Sequence, residues 1–576
     1  MSTAPQPFTI IASQAPDRVS RAIIGASASN ELVFAVVGHA GSGTSTVASQ
    51  LRNLLKERTL SGQQFEVVVL KAREVINEWA EKRGNPRKGE YGTSPLDQVR
   101  MLQDYGDDMR AEENSADQQD YAAIARALAI KIKASRASQT GVQSVPGTPV
   151  KPDGKPRAYI LDSLRHPEEV NLLRRVYSQA FVLIGVVCEE ERRIKRLSDK
   201  YGKPAPEDIS AFMTRDADAD QKHGQHVADA FHLADYFIDN TEDRGDVRTS
   251  NPSWDVVDNL SRLVKIVTHA ELVRPTVAET AMYHAFSAQM QSACLSRQVG
   301  AAVVDMNGNV LATGTNEVPK AGGGVYGESF EKEHQDSRCA FFSDPAQRFC
   351  RNTQTQIEII QDLISSFKQQ FSDEKEGEKG VRDLIERKRA DLSAALRKTR
   401  VGGLLEFSRA VHAEMDALLS AARKGVSLVG TRLFVTTFPC HYCARHIVAA
   451  GVDEVQYIEP YPKSQALKLH EDSIQIVHSG WFPPSQFAQR QLINELRASD
   501  GVQVPEPIRG AKLLIRPFSG IAPRLYERAF LKDRELKKKD TGEMQIQEPS
   551  WGKPWHLSKM SPADIEAELE GVDANV

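Results

Sequence analysis

No apolar stretch in this 576-residue chain approaches the roughly 20 residues needed to cross a bilayer. Met1 to Pro16 is polar and lacks the hydrophobic core of a secretory signal. Membrane insertion and export are therefore not expected, and a cytoplasmic location is. Cysteine is scarce, with six residues: Cys188, Cys294, Cys339, Cys350, Cys440 and Cys443. So few in so long a chain exclude a disulfide scaffold and leave the close pair Cys440/Cys443 as a metal-binding or redox candidate. Charge of one sign is missing too. Lys plus Arg number 73 and Asp plus Glu 77, a net charge of -4, which argues against a protein that coats nucleic acid with a basic face. What remains is an ordinary soluble composition, 40% hydrophobic and 26% charged, in a chain long enough for two to four domains.

Apolar runs ending at small residues mark buried strands at Leu32 to Val37, Phe65 to Leu70, Ala158 to Leu161 and Phe181 to Val187. Helical segments lie between them, including Gln118 to Ser135 and Glu168 to Tyr177. Strands alternating with helices imply a parallel, three-layer α/β domain. Ala137 to Arg157 is rich in Ser, Gly, Pro, Thr and Lys and reads as a loop. A second α/β pattern starts with a helix near Pro275 to Ser292. It continues with strands at Val299 to Val304 and Asn309 to Gly314, joined by the turn Asp305-Met306-Asn307-Gly308. A helix over Ala410 to Lys424, a strand over Arg432 to Thr437, a helix over Cys440 to Ala450 and a strand over Glu454 to Ile458 follow. The expected division is a tail (1–30), a first domain (31–245), a linker (246–274), a second domain (275–530) with a charged helical insertion at about 325–400, and a C-terminal tail (531–576) containing Trp551 and Trp555.

The strongest chemical signal is His412-Ala413-Glu414 followed by Pro439-Cys440-His441-Tyr442-Cys443. Two cysteines three residues apart at the start of a helix can turn both sulfurs toward one ion, and the helix N-terminus favours their thiolate forms. His412, from another helix, completes three protein ligands. Zinc held this way keeps a fourth position for water, whose pKa falls toward ~7. Glu414 lies two residues beyond His412 and is suited to carry protons rather than bind the metal. A structural zinc would want a fourth Cys or His, and His441 is the only local spare. A redox pair would leave His412 and Glu414 without a role.

His-x-Glu with a downstream Pro-Cys-x-x-Cys is the arrangement of zinc-dependent deaminases. Residues 276 to 465 resemble the cytidine/deoxycytidylate deaminase superfamily, most closely its deoxycytidylate branch. Ser296-Arg297-Gln298-Val299-Gly300-Ala301 matches that branch before the first strand, and Gly314-Thr315-Asn316 matches its Gly-x-Asn. The resemblance implies that Asn316 binds the sugar 3′-hydroxyl and that Ser296 and Arg297 bind the 5′-phosphate. A guanidinium suits phosphate oxygens, although a surface salt bridge is the plainer role for Arg297. Asp416 departs from the Asn common in the family. Gly520-Ile521-Ala522-Pro523-Arg524-Leu525-Tyr526 resembles a segment of bacterial anti-phage dCTP deaminases, which also fuse an N-terminal P-loop domain to a C-terminal deaminase.

Gly38-His39-Ala40-Gly41-Ser42-Gly43-Thr44-Ser45 sits between a strand and a helix and fits the phosphate-binding P-loop pattern, except that Thr44 stands in place of Lys. Backbone amides from Gly38, Gly41, Ser42, Gly43, Thr44 and Ser45 can still cradle phosphates. Phosphoryl transfer is weakened without the lysine, for which Lys71 is a remote substitute. Asp162 resembles the strand-end acid of nucleotide kinases, and Glu191 to Arg196 their basic lid helix, which otherwise reads as a solvated face. The fold class is accordingly α/β, with an N-terminal P-loop kinase-like three-layer domain, degenerate and regulatory. A C-terminal cytidine-deaminase-like α/β/α domain with a helical insertion follows it.

His334, Cys339 and Cys350 form a looser candidate for a second metal, with simple burial of the thiols as the alternative. The function expected is zinc-dependent deamination of deoxycytidine nucleotides, dCTP and also dCMP, lowering dCTP as an anti-phage defence. The rivals are a housekeeping dCMP deaminase for thymidylate supply and a polynucleotide cytosine deaminase, which would need a basic, aromatic-lined channel. By the same resemblance a homo-oligomer is expected, and a nucleotide such as dTTP, an RNA or a protein could serve as the regulator that keeps such an enzyme silent.

Overall fold

A computed structural model describes residues 29–60, 63–112, 118–242, 245–246, 249–251, 254–327, 338–341, 344–371, 375–404, 408–461, 464–478, 481–487, 511–532, 536–545 and 562–573. His334, Trp551, Trp555 and nearly all of the N-terminal tail lie outside the described residues. The fold is mixed α/β, with two sheets rich in parallel pairs. It divides into two units, Met1–Arg274 with Ser519–Val576, and Pro275–Phe518.

In the first unit, five parallel strands form the sheet: β1 (Glu31–Val37), β2 (Glu66–Lys71), β3 (Arg157–Leu164), β4 (Phe181–Val187) and β5 (Tyr236–Asp239). Their spatial order is β2-β3-β1-β4-β5. Every residue of β1 and β4 is buried, as expected of strands covered on both faces. Between them run α1 (Thr44–Lys56), α2 (Ala72–Lys82), α3 (Pro95–Ala111), α4 (Ala123–Thr140), α5 (Pro167–Tyr177), α6 (Glu190–Lys200) and α7 (Pro206–Ala217); α8 (Val256–Val267) follows β5. The helix expected over 118–135 starts later and ends later, because the Asp120 side chain accepts the Ala122 amide in a turn. Gly141, at φ 70°, then closes α4 in the left-handed conformation that favours glycine.

Two C-terminal pieces complete this unit. Gly520–Ile521 adds an antiparallel edge to β5, pairing with Phe237 and Tyr236. The segment from Ser519 onward therefore groups with the first unit, where the sequence had placed residues 519–530 in the second domain and 531–576 in a separate tail. A final helix, Pro562–Asp573, packs on α4. Its Glu566 is fully buried between the Arg136 guanidinium (2.6 Å) and the Tyr177 hydroxyl (2.7 Å). Arg136 also reaches Glu31 on β1 at 2.6 Å. A buried guanidinium needs such partners, since removing one leaves an uncompensated charge.

The second unit has the sheet order β7-β6-β8-β9-β11-β10, built from β6 (Gly300–Val304), β7 (Val310–Thr315), β8 (Arg432–Thr437), β9 (Glu454–Glu459), β10 (Ile474–Gln475) and β11 (Leu513–Pro517). The pairs β6/β7 and β6/β8 are antiparallel, and the rest are parallel. Helices α9 (Val277–Gln289) and α13 (Ala413–Arg423) take opposite faces. A Cβ on Gly300 would collide with the α9 backbone at Ala285 and Gln289. One on Gly314, paired opposite Ala301 and hence on the other face, would collide with α13 at Ala413 and Ala417. Among its described residues the charged insertion forms three α-helices, α10 (Arg351–Gln369), α11 (Glu376–Arg387) and α12 (Arg389–Arg397).

Candidate active site

The glycine at 314 lets α13 approach β7 closely, and this fixes the start of α13, where His412 is the N-cap. Cys440 is the N-cap of α14 (His441–Ala449), which leaves the carboxyl end of β8 through Phe438 and Pro439. The two helix starts converge. His412 Nδ1 lies 3.3 Å from Cys440 Sγ and 3.4 Å from Cys443 Sγ. Tetrahedral zinc with ordinary bond lengths places a nitrogen and a sulfur ligand ~3.6 Å apart, so these three side chains fit zinc. Among the described residues they are the single such group, and it includes neither His441, Cys339 nor Cys350.

The polar chemistry is concentrated there. A hydrogen bond from Cys443 holds the Cys440 thiol down at about 4, while Cys443, next to that thiolate, is pushed well up. The His412 imidazole is raised to about 9 by its hydrogen bond with Cys440. Glu414 is 4% exposed, and burial pushes its carboxyl above the ordinary range. Asp416 is buried as well, and its Oδ2 accepts the Thr315 amide at 3.1 Å. It braces α13 against β7, a job that an acceptor oxygen performs whether it belongs to Asp or Asn.

Ser296, Arg297 and Asn316 come together beside this centre. Asn316 is a clamp: its Nδ2 donates to the Arg297 carbonyl and its Oδ1 accepts the Val299 amide, both at 2.6 Å. Arg297 Nη1 pairs with Glu459 Oε1 at 2.8 Å. Ser296 Oγ lies 3.1 Å from Cys350 Sγ, which puts Cys350 against the loop that carries Ser296 and Arg297. Two nearby residues escaped the sequence reading. Glu459 is the last residue of β9, in register with Thr437. Tyr461 is half-buried, its hydroxyl pushed up by burial, and it feels the charges of both Cys440 and Arg297. Their signal was positional, since carboxyl ends of parallel strands are where α/β sites form.

Residues 38–45 also lie together, at the carboxyl end of β1, which is the switch point of its sheet. Gly41 and Gly43 have φ of 84° and 88°. Side-chain atoms on these two would meet the Arg193 backbone and the Asn240 amide. Ser45 Oγ donates to Asp162 at 2.7 Å. The Ala40 amide donates to the buried Asp216 carboxylate at 2.6 Å, and Asp216 pairs with Arg165. The loop thus has an internal anion on one of its amides. Lys71 ends β2, in register with Asp162.

Residues 275–459 match the family described as the cytidine and deoxycytidylate deaminase zinc-binding region. The deoxycytidylate deaminase of Enterobacteria phage T4 is 28% identical over 190 residues, covering 33% of this chain and 80% of its own. A probable deoxycytidylate deaminase of Drosophila melanogaster is 38% identical over 77 residues, 13% of this chain and 37% of its own. Among solved structures, a dCMP deaminase from cyanophage S-TIM5 with dCMP and dUMP is 22% identical, covers 35% of this chain and 93% of its own, and has a TM-score of 0.20.

Proposed function

We propose, on the premise that residues 275–459 belong to the cytidine and deoxycytidylate deaminase superfamily, that this protein hydrolytically deaminates deoxycytidine nucleotides, dCTP and dCMP, to the deoxyuridine forms. The observation that carries this reading is the convergence of His412, Cys440 and Cys443 on one point beside the buried Glu414. Zinc held by those three side chains supplies Lewis acidity that makes water nucleophilic at neutral pH. Glu414 takes a proton from the attacking water and passes it to ring nitrogen N3, then takes the second proton from the new C4 hydroxyl and delivers it to the departing amine. Water adds at C4, the C4–N bond breaks, and ammonia leaves. Asn316 holds the 297–299 backbone in place for the sugar, and Arg297 with Ser296 receives the 5′-phosphate.

Depletion of dCTP as an anti-phage defence is the biological purpose we assign, supported by the resemblance of the 520–526 segment and by the fused first unit. That unit is read as a regulatory nucleotide-binding module. A direct test incubates purified protein with dCTP, dCMP, CTP and a cytosine-containing single strand, measuring ammonia and products. Release from the free deoxynucleotides is expected, and release from the strand alone would overturn the reading.

A further inference from the structure

The ion pair between Arg297 and Glu459 bears on which nucleotide the site accepts. Arg297 is fixed twice, its backbone by Asn316 and its guanidinium by Glu459 at 2.8 Å. Glu459 is itself pinned. Its second oxygen accepts the Thr437 hydroxyl at 3.1 Å, and its carbonyl accepts the Phe438 amide at 2.7 Å. The carboxylate therefore stays at the edge of the anion site when a phosphate arrives. The Arg297 side chain is 49% exposed, so its remaining N–H groups can meet a phosphate while one end stays on Glu459.

We infer that Glu459 selects by phosphate charge, disfavouring a doubly charged 5′-monophosphate relative to the same nucleotide bearing a singly charged 5′-phosphate. The inference rests on the assignment of Arg297 to the 5′-phosphate made under the proposed function. A phosphomonoester carries about -1.5 to -2 charges at pH 7, whereas a 5′-phosphate esterified on both sides carries one. One additional charge beside a fixed carboxylate at a half-exposed site corresponds to roughly tenfold in relative affinity. Glu459 acts through Arg297 and is a positioning and specificity residue. A purely structural surface pair would leave substrate choice untouched.

The test measures kcat/KM of the zinc-loaded full-length protein for dCTP, dCMP and deoxycytidine 5′-methyl phosphate, which keeps the nucleotide but bears one charge. The wild type is expected to use the methyl ester about tenfold better than dCMP. Glu459→Gln, which keeps an acceptor for Thr437, lowers the methyl-ester-to-dCMP ratio about tenfold through a smaller KM for dCMP. Glu459→Asp keeps the wild-type ratio. Equal use of dCMP and its methyl ester by the wild type, or an unchanged ratio in an active Glu459→Gln protein, overturns the inference and leaves the deaminase assignment standing. The methyl-ester comparison needs no variant and decides the matter even if Glu459→Gln folds poorly. A wild type inactive on all three substrates defeats the nucleotide reading and this inference together.

Discussion

Each unit places a loop between a parallel strand and a helix start, yet the two loops end in opposite states. In the second unit, Cys440 and Cys443 at the start of α14 face His412 at the start of α13, three ligands converging on one point. In the first, the loop before α1 lacks the lysine that would draw phosphate, and its Ala40 amide is already bonded to the chain's own Asp216. A helix N-terminus favours negative charge in both cases. What differs is whether the charge comes from groups that can hold an ion or from a carboxylate that satisfies the loop internally.

The sharpest way to break this contrast is to remove a ligand. Cys440→Ser or His412→Ala is expected to lose zinc and at least ~10³-fold of deaminase activity, read by metal analysis alongside ammonia release. Glu414→Gln comes next: zinc stays at a full equivalent while kcat drops by about 10² to 10⁴, and wild-type turnover would refute the proton-carrier role. Gly314→Ala forces a methyl into the α13 backbone and should cost about 1–3 kcal/mol in thermal or denaturant unfolding. Gly380→Ala, in open space on α11, gives no loss or a small gain.

On the other side of the contrast, Asp216→Asn weakens the loop's internal anion and should lower the stability of the first unit by about 1–3 kcal/mol. Ammonia release from dCMP tests whether that loop is coupled to catalysis. The smallest effect belongs to Asp153. Hydrogen bonds from Arg157 hold its carboxyl down at about 2. Its folded value lies below the unfolded one, so the stabilisation is complete above about pH 4 and fades as pH falls toward 2. Asp153→Asn should remove about 1 kcal/mol of it, since Asp153 is partly exposed and the buried Arg157 keeps Glu66 and Glu31 as partners.

The strands β1 and β4 were legible because they are short, continuous apolar runs that end abruptly. β5 was not, because four residues entering a polar stretch give no periodicity to read. The boundaries of α4 depended on the Asp120 turn and on buried partners for Arg136 that lie far off in sequence. The zinc ligands and Glu414 were readable since each motif is local, a pair within four residues and a pair within three. Glu459 was not. Its meaning arises only when β9 is laid beside β8 in the register that puts it opposite Thr437 and within reach of Arg297.

The docking of Pro562–Asp573 on α4, and of Gly520–Ile521 on β5, sets an order of events during synthesis. A ribosome must make all of residues 275–518 before it reaches either piece, a delay of tens of seconds at ordinary elongation rates. Until then Arg136 lacks its Glu566 partner, and the sheet edge at β5 is open. The N-terminal unit is therefore the last to be completed, so a nascent chain can assemble its zinc site before the domain that precedes it in sequence has closed.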